Sequence, residues 1–125
     1  MKFKDNSHQE FYEKYGAKFE NSGDRQRQVL FYLIGVSEVT RAHIDEIYNF
    51  EEHCIIPEAL TAGWQTSSNR ALTRLAFDLY HGDPVVPETA ESVEDELTMY
   101  SVANIFGRLN EWVCFGVEAI NCIYR

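Results

Sequence analysis

Residues 29–34 read VLFYLI, six apolar side chains in succession, and no other stretch limits the architecture of this chain as firmly. A segment that is apolar on every side belongs in an interior. Asp24 precedes it and can accept from the free amides of a helix start. Gly35 follows it and can adopt the left-handed cap that ends a helix. A strand is the competing assignment, because period alone does not separate the two for so short a run. The flanking residues favour a helix, and its composition makes it the most buried one.

The rest of the chain supplies helices to pack around it. Ser7 and Glu10 have the spacing of a capping box. Phe11, Tyr12, Tyr15 and Phe19 then recur at helical spacing, and the NSG at 21–23 ends that helix. Ser37 caps a third segment that buries Val39, Ile44, Ile47 and Tyr48. Pro57 fits the first turn of a short helix, PEAL. Residues 62–80 pack a glycine, a tryptophan, an amide and three hydroxyls ahead of an apolar stripe. Thr66, Ser67 or Ser68 serves as a cap there, Trp64 as an apolar staple, and Leu72, Leu75, Ala76, Leu79 and Tyr80 as the core side. Gly82 ends this helix. An acidic, proline-containing loop is expected over 83–96. One or two short helices follow, with Ser101 as a cap and Gly107 as a stop. A closing helix from Arg108 turns Leu109, Trp112, Val113, Val117, Ile120 and Ile123 inward.

No strand pair and no hairpin signal stands out. The expected fold is all-α, a compact single-domain bundle of about five to six helices over residues 1–125. A chain of 125 residues, 45% hydrophobic and 14% aromatic, can bury an adequate core. No apolar run reaches the ~18 residues of a membrane span, and no apolar block follows the first lysines. A cytoplasmic location is expected, with Cys54, Cys114 and Cys122 as thiols.

The net charge is -9. Residues 1–82 carry 12 acids and 9 bases, whereas residues 83–125 carry 8 acids and 2 bases, so the excess is -3 and then -6. Such a field repels nucleic acid and suits a basic protein partner, although surplus acids also serve solubility. The candidate partner-binding residues are Glu88, Glu91, Glu94, Asp95 and Glu96.

Motifs for chemistry are sparse. His8, His43, His53, His81 and the cysteines lack the paired spacing of a zinc site, so neither metal nor cofactor is expected. His53 and Cys54 are neighbours in sequence, which rarely brings a nucleophile onto its base. Paired acids mostly describe wetted surfaces. No phosphate-cradling glycine motif is present. Arg70 and Arg74 share one side of a helix. They either pair with nearby acids or, with Trp64, Gln65, His53 and Cys54, line an anion pocket.

Residues 29–82 also resemble a family of short, functionally uncharacterised proteins of Gram-positive gut bacteria and their mobile elements. The resemblance rests on Phe31, Tyr32, Leu33 and Gly35, on Thr40 and Arg41, and on Cys54, Ile55, Pro57 and Glu58. It continues through the run Gly63, Trp64, Gln65, Thr66, Ser67 and the run Arg74, Leu75, Ala76, Phe77, Leu79, Tyr80. The family often ends in a YPEYC-like segment, whereas this chain ends in NCIYR. The resemblance implies a mobile-element accessory protein and no known enzyme activity. Small acidic proteins from such elements block host defence, with inhibitors of CRISPR effectors (Cas nucleases) as the best-known case.

Three readings follow. The first is a non-enzymatic acidic protein that covers a basic, nucleic-acid-handling surface. The second is a small enzyme or ligand-binding module around Trp64, Arg70 and Arg74. The third is a homodimer built on surplus aromatics.

Overall fold

Helix α2 (Arg25–Ile34) forms the centre of the molecule, and each residue from 29 to 34 is at most 1% exposed. The computed structural model describes residues 1–88 and 90–124. Among them are six helices of seven or more residues and two shorter α-helical segments. Helix α1 (Asn6–Tyr15) leads in, and α3 (Glu38–Ala42) and α4 (Ile44–Ile47) follow α2. Later come α5 (Ser67–His81), α6 (Val93–Met99), α7 (Val102–Leu109) and α8 (Val113–Ile123). The protein is predominantly helical, as the periodicity indicates. α2 packs most extensively on α5, while α1 and α8 also cover α2 and α7 covers α5.

The caps are partly those expected. Asp24, Ser37, Thr66 and Ser101 each accept from a backbone amide at a helix start. α1 is capped by Asp5, whose carboxylate accepts from the His8 amide at 2.8 Å, and not by the Ser7–Glu10 box. It ends at Gly16, before the expected NSG, and a short 3₁₀ turn follows (Ala17–Phe19). Gly82 takes the left-handed conformation (φ 87°) that closes α5.

Gly35 ends α2 for a different reason from the one expected. Its φ is -70°, ordinary right-handed backbone. What requires glycine is space: a Cβ there would sit 2.8 Å from the Phe11 ring and 3.0 Å from His8. Gly35→Ala is therefore expected to cost about 1–3 kcal/mol by pushing α1 off α2. Urea denaturation checks this, and an unchanged midpoint would refute it.

Three further departures have local causes. Residues 48–55 form a two-stranded antiparallel hairpin, pairing Tyr48 with Ile55 and Asn49 with Cys54. The Asn49 side chain closes its turn by accepting from the amides of Glu51 and Glu52, and His53 takes the positive φ (57°) usually left to glycine. The acidic loop is shorter than 83–96, because α6 begins at Val93 and takes up Glu94, Asp95 and Glu96. α7 runs through Gly107 and stops at Asn110, whose φ is 55°. That break resets the helical phase. α8 therefore buries Phe115, Gly116, Ala119 and Cys122, while Val113 and Val117 face solvent.

Candidate functional site

Helix α5 has a mostly apolar inner side, LTRLAF, into which Arg74 is set. The residue is only 1% exposed. A buried guanidinium needs a counter-charge and hydrogen bonds to be tolerated. Glu96 on α6 supplies both, with a carboxylate oxygen 2.5 Å from an Arg74 terminal nitrogen. The Tyr100 ring lies beneath the guanidinium, 4.5 Å from carbon to ring centroid, and Arg108 approaches the same ring at 5.4 Å. Arg70, one turn earlier, lines a shallow recess of about 210 Å³ with Leu60, Thr61, Glu96 and Tyr100. The Nε atoms of Arg70 and Arg74 are both buried without a hydrogen-bond partner among the described residues.

The other residues of the expected pocket are held elsewhere. Trp64 stacks flat on His43, with ring centroids 4.1 Å apart. Gln65 is buried and donates to the Ala59 carbonyl and the Thr73 hydroxyl, which fixes the approach to α5. His53 and Cys54 are exposed in the hairpin. The His53 backbone carbonyl accepts from Arg27 at 2.6 Å and Arg27 also donates to Tyr48, so this corner ties the hairpin to α2. Of the expected pocket, the structure brings together only Arg70 and Arg74, and joins to them Glu96, which was expected among the partner-binding acids.

The five expected partner-binding acids divide. Glu88 and Glu91 are exposed in the loop, and Glu94 and Asp95 are exposed on α6. Glu96 alone turns inward to Arg74. No three His, Cys, Asp or Glu side chains among the described residues are grouped to hold a metal ion. Among the described residues, no helix is long and apolar enough to cross a membrane.

Sequence reasoning missed Asp78. It lies four residues after Arg74 and is half-buried, and it accepts from the Val85 amide at 2.9 Å. Burial pushes its carboxyl up to about 6, against the pull of that bond and of Arg74 and His81. The available signal was an acid on the inner side of the LAFDLY segment. Asp78 also opens on a groove of about 540 Å³ bounded by α5, α6, α7 and α8.

No curated protein and no solved structure matches the chain. A family model described as a family of unknown function, DUF6075, matches residues 1–125, including the tail that departs from the resembled pattern. With the whole length matched, the chain belongs to the DUF6075 family.

Proposed function

We propose that this protein acts by binding, and that its ligand is the basic surface of a protein partner. What carries the reading is the inward turn of Glu96. One carboxylate of α6 is consumed in anchoring the helix on Arg74, which leaves Glu94 and Asp95 exposed on the helix, with Glu88 and Glu91 exposed in the loop before it. A concentration of like charges steers a cationic partner and disfavours anionic ones. The narrower form of the proposal is an inhibitor from a mobile element that occupies the nucleic-acid channel of a CRISPR effector nuclease. It draws on the family resemblance and on the net charge of -9. The anion-pocket reading is less favoured, because an incoming anion must displace Glu96 from Arg74.

The test is binding to a guide-loaded effector nuclease, with its target-DNA cleavage as a second readout. Affinity should fall steeply with salt. It should drop by at least about tenfold in the variant Glu88→Lys/Glu91→Lys/Glu94→Lys/Asp95→Lys, since each close charge contact is worth a fraction of a kcal/mol or more. Cys54→Ala should change neither quantity. Binding that ignores both salt and charge reversal would exclude the acidic array. Salt-dependent binding without loss of cleavage would exclude only the nuclease form.

A further inference from the structure

The groove between the C-terminal half of α5 and helices α6, α7 and α8 is apolar at its base and left open at its rim. Ile105 and Leu75 at its base are nearly inaccessible. Leu97, Val102 and Tyr124 at its rim are 44%, 70% and 76% exposed. Contiguous exposed apolar side chains around a concavity mark a surface that something covers. Asp78 and Asp83 stand in the wall, and the described lining residues include no lysine or arginine. The Asp78 side chain accepts from the Val85 amide, and that bond together with the charges of Arg74 and His81 offsets its burial only in part. Whatever fits here must therefore bring an apolar body and positive charge together.

That combination selects among occupants. A second copy of this chain would bring another -9 against the same acids, so charge works against self-association at this surface. A purely apolar ligand would leave two carboxylates partly desolvated and uncompensated. A basic amphipathic helix supplies both features. Its apolar side chains fill the groove, and flanking lysines or arginines reach Asp78, Asp83 and, on α6, Glu94 and Asp95. We infer that the groove is the anchoring site for a basic amphipathic segment of the partner, with leucine-like side chains inserted between α5, α6 and α7. The inference rests on the acidic-binder reading and adds to it. The outer acids set the rate and salt dependence of encounter and part of the affinity, and the buried apolar anchors supply the rest.

The experiment uses the full chain and two synthetic peptides of equal charge. One is an amphipathic helix of leucine and lysine; in the other every leucine is serine. Binding is followed by fluorescence anisotropy at low and physiological salt, and methyl NMR shifts of Leu97 and Val102 locate it. The leucine peptide should bind at least about tenfold more tightly than the serine peptide. In Leu97→Ser/Val102→Ser, two exposed positions whose change spares the core, that gap should collapse while serine-peptide binding stays the same. Asp78→Asn should weaken the leucine peptide several-fold. A gap that survives Leu97→Ser/Val102→Ser, or equal binding of both peptides to the unaltered protein, overturns the groove and leaves the acidic-binder reading standing. Absence of any salt-dependent binding overturns both. A groove that takes up octylamine without preferring the leucine peptide overturns the inference in favour of a small-molecule site.

Discussion

Replacing Glu96 with alanine is expected to destabilise the fold by about 3 kcal/mol, which is several times the effect of the same change at Glu94 or Asp95. The three acids are consecutive on one helix, so composition and propensity treat them alike. Their surroundings do not. Glu94 and Asp95 are exposed, and exposed positions of this kind typically change stability by less than about 0.5 kcal/mol. Glu96 compensates a guanidinium that has almost no access to water. Removing it leaves an uncompensated buried charge, for which losses of about 3–5 kcal/mol are usual. Glu96 keeps 19% of its side-chain exposure, so the lower end applies. The double variant Arg74→Met/Glu96→Leu should recover most of the loss, because replacing a buried pair with apolar side chains is often close to neutral. Urea denaturation of the single and double variants measures both effects. Equal effects of Glu94→Ala and Glu96→Ala would show that the pair does not hold α6.

The second large effect is a gain. Asp78→Asn should stabilise the protein by about 2 kcal/mol at pH 7. The displacement of the Asp78 carboxyl from 3.8 to about 6 corresponds to roughly 3 kcal/mol, reduced here because the group keeps part of its water. The sign follows from proton counting. Between 3.8 and about 6 the folded protein holds a proton that the unfolded chain has released. Asp78 therefore costs stability progressively as pH rises through that window, and the full cost is present above it. Asparagine keeps an acceptor for the Val85 amide without the buried charge, so its advantage should vanish near pH 4.

His8 works in the opposite direction in an overlapping range. It is fully buried: its Nδ1 accepts from the Lys4 amide, so Nε2 donates to the Tyr32 carbonyl. Burial lowers its pKa from 6.5, and the stability it contributes is lost as pH falls below that value. The Asp78→Asn protein, lacking that compensation, should show the steeper acid decline. A variant no more stable than the parent at pH 7 would mean that Asp78 is not desolvated as described.

On the proposed reading, the cost of Asp78 is that of keeping a carboxylate for a cationic ligand beside an open apolar groove. The same substitution thus separates the two roles of Asp78, raising stability while weakening the leucine peptide.

Local chemistry made much of this fold legible. Asp24, Ser37, Thr66 and Ser101 act through their own neighbours, so their roles can be read within a few residues. The run at 29–34 is buried on all sides and declares itself by composition. Arg74 is different. Its spacing from Arg70 suggested a shared surface, but its partner is 22 residues away on another helix. The sequence offers Glu94, Asp95 and Glu96 with nothing to say which one turns inward. The inward side of α8 was misread at Val113 and Val117, because Asn110 adopts a conformation usual for glycine and shifts the phase after it, while Trp112 and Ile123 still pack on the core. The hairpin was hidden because His53, at φ 57°, takes the positive φ that a glycine normally announces, with the Asn49 side chain closing the turn. The groove had no linear signature, since α5, α6, α7 and α8 each give it only a few residues.

The ion pair between α5 and α6 also separates what the fold depends on from what a partner meets. Glu96 cannot change without Arg74, whereas its two predecessors on the same helix turn are free to be exchanged. On the proposed reading, the exposed charge of α6 can be altered one codon at a time at a cost of no more than about 0.5 kcal/mol a step.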